Sequence, residues 1–197
     1  MRQKTTKELF RWPITKELAS EMLRCAYNAE VHKRGMECID NPNIAEYLDR
    51  IADVMTTKST KCGILLCGNC GNGKTTTMNA FHTVSTYLAP PGIDIEFTSA
   101  RRITQVAKDE ELMRAAKGVK VLCIDDLGLE PTEVLDYGNA VNPVIEIMEQ
   151  RYRQQLFTFI TTNLTPSQIR EKYGDRIADR FNETMKCIVY TNPTFRR

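Results

Sequence analysis

The chain has 197 residues, of which 42% are hydrophobic and 26% charged, with a formal net charge of +2. That length holds one core-sized domain plus a short appendage, and the even mix of apolar and charged residues excludes a disordered chain or a repetitive fibre. No apolar run reaches membrane-spanning length, no secretory signal follows the basic start, and seven cysteines, an odd number, suit reduced thiols better than a disulfide framework, so a cytoplasmic address is expected.

Charge is uneven along the chain. Residues 1–34 carry eight Lys/Arg and four Asp/Glu, hence +4, leaving −2 for the remainder. Such a basic arm fits contact with nucleic acid or an acidic partner, and equally a solvated helix face. Thr15 to Lys33 spaces Leu18, Met22, Leu23, Ala26 and Ala29 near 3.6 residues, with Thr15 as N-cap, which predicts a helix. The turn cluster Asp40-Asn41-Pro42-Asn43 follows, then a second helix over 44–55 with Ile44, Leu48, Ile51 and Met55 on one face.

Residues 62–77 are the stretch around which the rest is organised. Gly63 to Cys67 reads as a short buried strand, and Gly68, Gly73, Lys74 and Thr75 satisfy G-x-x-x-x-G-K-[ST], a P-loop. Backbone N–H groups of such a turn point at phosphate oxygens, and the helix that starts here adds its positive dipole end. The expected cradle is Gly68, Asn69, Cys70, Gly71, Asn72, Gly73, Lys74, Thr75 and Thr76, with Lys74 on the β/γ-phosphates and Thr75 on Mg²⁺. Cys62, Cys67 and Cys70 also have the C-x4-C-x2-C spacing of an iron–sulfur loop, and Cys67 with Cys70 spells a C-x-x-C redox pair. Those readings compete with the P-loop for the same backbone, since Cys70 would stand where a phosphate is expected.

Beyond the P-loop helix, Ala89-Pro90-Pro91-Gly92 breaks the chain, and 93–98 reads as a strand. Ser99 caps a helix to Lys108, and a short helical piece covers 109–117. The nearly all-apolar strand 119–124 ends in Asp125 and Asp126. Helix 143–154, strand 156–161, a helix from Pro166, helix 175–185 and strand 187–190 complete the chain. This alternation predicts an α/β fold, a parallel sheet flanked by helices with ligand chemistry at the carboxyl ends of the strands. Asp125 is then the metal-associated carboxylate and Asp126 the base for a hydrolytic water, unless the pair merely caps a turn. Asn163, at the end of the next strand, can orient that water or serve as a turn residue.

In order, Cys-Gly-Asn-Cys-Gly-Asn-Gly-Lys-Thr, Leu-Cys-Ile-Asp-Asp-Leu-Gly, Ile-Thr-Thr-Asn-Leu-Thr and Tyr-Gly-Asp-Arg-Ile-Ala-Asp-Arg-Phe resemble the AAA+ ATPase domain of bacterial replicative helicase loaders of the DnaC/DnaI type. The related IstB transposition helpers share these motifs. The likeness spans about residues 45–197 and implies a helical extension at 1–43, matching the loaders' helicase-binding region, and an ATPase domain at 44–197. It implies ATP and Mg²⁺ as ligands, a replicative helicase and single-stranded DNA as partners, and a homo-oligomer when active. By position, Arg180 falls on the arginine finger that reaches a neighbouring subunit's γ-phosphate, with Arg176 one turn earlier as second candidate. A surface ion pair with Asp175 or Asp179 is the plainer role for either. The chain ends soon after the last strand, so no C-terminal lid domain is expected. The segment that grips DNA in the family looks short here, with Arg101, Arg102 and Lys108 as the candidates. A nucleotide-dependent binding switch and a small-molecule phosphotransferase are the readings from other classes.

Overall fold

The computed structural model of the chain describes residues 8–37, 41–57, 59–132, 134–136 and 139–195, with the backbone alone over 134–136 and 139–141. Arg2, Lys4 and Lys7 of the basic arm, Asp40 of the turn cluster and the terminal Arg196 and Arg197 lie outside the described residues. In chain order the elements are α1 (Lys16–His32), α2 (Pro42–Thr56), β1 (Gly63–Gly68), α3 (Lys74–Tyr87), β2 (Ile95–Ser99), α4 (Ala100–Gln105), α5 (Glu110–Gly118) and β3 (Val121–Leu127). A hairpin of β4 (Val134–Asp136) and β5 (Asn139–Val141) follows, then α6 (Pro143–Gln154), β6 (Phe157–Thr162), α7 (Pro166–Tyr173), α8 (Asp175–Thr184) and β7 (Met185–Tyr190).

The main sheet has the order β2-β3-β6-β1-β7, and every neighbouring pair in it is parallel. β1 therefore sits between the last two strands of the chain. Its side chains alternate as a strand covered on both faces requires. Ile64 and Leu66 join α1, α2 and α3 in one core, while Leu65 and Cys67 join α4 to α8 in a second. The first core is rich in aromatic rings. Trp12 meets Phe81 and Phe157 edge-on at centroid distances of 5.5 and 5.0 Å, and its indole N–H donates to the Ser85 carbonyl at 3.3 Å. Arg11, beside Trp12 in the leader that precedes α1, ties it to the link before β1, donating to the carbonyls of Thr57, Ser59 and Lys61 at 2.7, 2.7 and 2.8 Å. No helix among the described residues is long and apolar enough to cross a membrane.

Thr15 caps α1 through its hydroxyl, as the sequence predicts, but the buried face is Ala19, Leu23, Tyr27 and Val31. Leu18 is 46% exposed. The apolar stripe is rotated by about one residue from the expected one, because Tyr27 and Val31 outweigh the smaller Ala26 and Ala29 against α2 and α3. α2 starts at Pro42, ahead of the expected start at Ile44, with Asn41 as N-cap and Pro42 in the first turn, and it buries Ile44, Leu48, Ile51 and Met55 as expected. The helix expected over 99–108 ends at Gln105, and Lys108 lies off it. The β4/β5 hairpin carries no sequence signal, since strands of three residues are too short for alternation to register.

Candidate active site

β1 leaves the sheet at Gly68, where φ is 148° and a Cβ would stand 2.5 Å from the Tyr190 carbonyl and 2.6 Å from Asn72 Nδ2. Only glycine lets the loop turn this close to β7. Gly73, with φ of 99°, opens α3, and no side chain caps the first-turn N–H groups. Asn69 and Cys70 are exposed at the crest, while Asn72 and Thr76 are buried beneath it. The Asn72 amide donates to the Tyr190 carbonyl at 3.1 Å and accepts from Lys74 Nζ at 3.1 Å. Lys74 also donates to the carbonyls of Gly68 and Asn69, both at 2.7 Å, and to Asn163 Oδ1 at 2.9 Å. Its ammonium is thus gathered on four neutral oxygens, and burial draws its pKa below the usual lysine value, an effect opposed by nearby groups including Cys70, Asp126 and Asp125. A buried cation on neutral acceptors, at an uncapped helix start, fits a phosphate group, which would offer it formal charge in their place.

Facing the loop, Asp125 accepts from Thr75 Oγ1 at 3.2 Å, and the same carboxylate oxygen accepts from Thr161 Oγ1. A hydroxyl and a carboxylate so placed are oxygen donors of the kind a hard divalent cation takes. β3 does not stop before its carboxylates as the apolar run implies. It continues through them with a bulge, for Ile124 pairs Ile160 while Leu127 pairs Thr162, three steps against two. Asp126 takes up the difference in the left-handed region, at φ 55°. That conformation costs a non-glycine residue roughly 1–2 kcal/mol and persists only where neighbours impose it. Here Thr161 Oγ1 accepts the Asp126 N–H at 2.9 Å, and Thr162 Oγ1 donates to the Leu127 carbonyl at 2.6 Å. A bulge of this kind re-aims a side chain at a strand end.

The structure thus brings together Lys74, Thr75, Asp125, Asp126 and Asn163 at the carboxyl ends of β1, β3 and β6. Sequence reasoning missed Thr161, which touches both aspartates. Its position, two residues before Asn163 on a strand, was visible, but its partners are 35 and 36 residues away in the chain.

Arg180 does not join this group. α8 ends where β1 begins, as the bond from the Cys62 N–H to the Thr184 carbonyl at 2.8 Å shows, while the loop lies about 17–20 Å away at the other end of β1. The Arg180 side chain is 14% exposed, with Nη1 3.1 Å from Glu149 Oε1 and the guanidinium 4.6 Å from the centre of the Tyr152 ring. The Glu149 contact is Coulombic, because Nη1 has no aligned hydrogen-bond acceptor. Arg176 reaches the same Glu149 oxygen at 3.2 Å and is 68% exposed. The expected partners Asp175 and Asp179 pair instead with Arg170. Arg101 and Arg102 are exposed on α4. Cys62, just before β1, and Cys67 within it lie five residues apart, about 16 Å along extended chain, too far to ligate one cluster. Cys67 Sγ instead lies 3.8 Å from Cys187 Sγ on β7.

No protein-family model matches the chain, and no curated protein sequence matches it. Solved structures do. The crystal structure of the DnaC helicase loader superposes with a TM-score of 0.62 at 21% identity, covering 78% of this chain and 93% of that one. A primosome component from Streptococcus pyogenes serotype M3 gives 0.61 at 22% identity over 81% and 85% of the two chains. AMPPCP-bound DnaA from Aquifex aeolicus gives 0.55 at 19% identity, with 77% of this chain covering 48% of the longer one. With its five-stranded parallel sheet, its P-loop after β1 and its paired aspartates on β3, the chain has the AAA+ P-loop NTPase fold, the fold it shares with DnaC and DnaA.

Proposed function

We propose that the chain binds ATP with Mg²⁺ and hydrolyses it to drive the placing of a replicative helicase on single-stranded DNA. The observation that carries this reading is the convergence of Lys74, Thr75, Asp125, Asp126 and Asn163 on one loop mouth, in a chain that superposes on 93% of the chain in the DnaC helicase loader crystal structure. Backbone N–H groups from Gly68 to Thr76 cradle the phosphates, and Lys74 leaves its carbonyls for the β/γ-phosphates. Thr75 and Asp125 hold Mg²⁺, which when bound neutralises charge on the phosphate oxygens. Asp126 accepts the proton of the attacking water that Asn163 orients. Arg180, remote from its own loop, acts on the nucleotide of a neighbouring subunit, so the working form is a homo-oligomer in the cytoplasm. Residues 1–43 serve as the helicase-binding extension, and Arg101 and Arg102 offer charge to DNA phosphates.

Phosphate release from ATP by purified protein, alone and with single-stranded DNA and the host's replicative helicase, tests this directly. Release that rises with both additions, together with helicase recovered on circular single-stranded DNA, is expected. Tight ATP binding without release under all conditions would leave a binding switch. ATP-dependent capture of a transposase in place of the helicase would move the chain to the transposition helpers.

A further inference from the structure

Four residues beyond Asp126 stands a carboxylate that no motif explains. The Glu130 side chain is fully buried, and Oε2 accepts the Gly128 N–H at 2.8 Å while Oε1 accepts the Tyr173 hydroxyl. Lys172 Nζ lies 3.5 Å from Oε1 and donates to the carbonyls of Gly128 and Glu130 at 2.7 and 2.6 Å. Gly128 itself is left-handed, at φ 108°, and a Cβ there would stand 2.7 Å from Leu164. A carboxylate withdrawn from water is costly unless donors surround it, and replacing one partner leaves the rest uncompensated.

What these bonds hold is the turn that presents Asp126. The Asp126 N–H is fixed by Thr161 and the Leu127 carbonyl by Thr162, both from β6. Continuing along the same turn, the Gly128 N–H is fixed by Glu130, and the Gly128 and Glu130 carbonyls by Lys172 of α7. The Leu129 N–H closes the turn on the Asp126 carbonyl at 3.2 Å. Two left-handed positions, Asp126 and Gly128, flank Leu127, and neither β6 nor α7 alone reaches both.

We infer that Glu130, clamped by Lys172 and Tyr173, is a positioning residue for Asp126: it fixes the turn from the α7 side so that the carboxylate stands where an attacking water can meet it. This rests on the reading of Asp126 as the base. A general base works only within hydrogen-bond reach of its proton, and a displacement near 1 Å costs on the order of a hundredfold in rate. The loop that binds phosphate takes no part in the clamp, so loosening it slows turnover and spares affinity.

The test compares Glu130→Gln and Tyr173→Phe with Asp126→Asn, each alone and each of the first two combined with the third, in ATP turnover, ATP affinity by titration, and thermal midpoint. Each clamp variant is expected to lower kcat about tenfold, within the range that proton-transfer geometry controls, with ATP affinity within about twofold of wild type. In the Asp126→Asn background neither should lower kcat further, because the group being positioned is already gone. Unchanged kcat in a folded Tyr173→Phe protein, a parallel loss of affinity and kcat, or a loss that multiplies with Asp126→Asn would each overturn the assignment. Tyr173→Phe decides the matter if Glu130→Gln does not fold. Should Asp126→Asn itself turn over normally, the assignment of the base fails, and the positioning role falls with it.

Discussion

On the proposed reading, Lys74 and Asp126 separate two tasks at the same loop mouth. Lys74→Ala removes a point charge that no neighbouring side chain supplies, so ATP affinity should fall ten- to a hundredfold, as loss of a charged hydrogen bond implies. Asp126→Asn keeps the shape and loses the base, so affinity should hold while turnover drops by on the order of 10² to 10⁴. Titration and phosphate release measured on both proteins check the pair, and equal loss in both assays for Asp126→Asn would make it a metal ligand. Thr161→Val is the third test at this scale. Removing the buried hydroxyl strands the Asp126 N–H and takes one donor from the Asp125 carboxylate, which should destabilise the fold by about 1–3 kcal/mol and slow turnover, with Thr161→Ser restoring most of both. Lys74, Thr75, Asp125, Asp126 and Asn163 were all legible, because the P-loop spacing and carboxylates after an apolar run are local signals. Thr161 and Glu130 were not, since their roles exist only once β3, β6 and α7 lie side by side.

Among the elements, those with strong periods were read well and their ends less so. The five strands of the main sheet and α2, α3 and α6 to α8 stand close to where apolar spacing puts them, while β4 and β5 went unannounced, α1 turned a different face inward and α4 stopped early. Tertiary packing decided both. The unannounced bulge in β3 has the same origin, for it depends on hydroxyls from β6. β7 supports a prediction of pH dependence. Burial raises the Tyr190 hydroxyl above its ordinary 10.0, although its bond to Thr77 Oγ1 at 2.8 Å works against the rise. The folded state therefore keeps a proton that the unfolded chain loses near pH 10. The resulting stability is fully present below that pH and declines above it, by up to about 1.4 kcal/mol per pH unit. Urea unfolding at pH 9, 10 and 11 should show a shallower decline for Tyr190→Phe than for wild type. Parallel curves would mean that the hydroxyl titrates normally in the fold.

At the scale of the whole molecule, Arg180 and the phosphate loop occupy opposite ends of the sheet. On the proposed reading a second subunit brings this arginine to a nucleotide, where it would be worth on the order of a thousandfold or more in rate. Turnover per subunit should therefore rise with protein concentration, and Arg180→Ala should flatten the rise while leaving ATP affinity near wild type. Mixing Asp126→Asn protein, which still offers Arg180, with Arg180→Ala protein, which keeps its base, should restore activity at shared interfaces. Inactive mixtures despite proven co-assembly would make Arg180 structural. If Arg176→Ala alone behaves this way, the more exposed arginine is the finger. Glu149 shapes this expectation, because it lies within 3.2 Å of both guanidinia in the single chain, and a finger acting in trans would have to leave it.

The seating of Trp12 has an optical consequence. It is the chain's single tryptophan, 1% exposed among Phe10, Phe81 and Phe157, and it sits in the leader to α1. Native emission is therefore that of an indole shielded from water, and it reports on one place only: the junction where the leader meets α3 and β6. A partner that peels this leader away would shift the emission to the red without melting the sheet, so binding to the front of the chain can be followed by intrinsic fluorescence with no label attached.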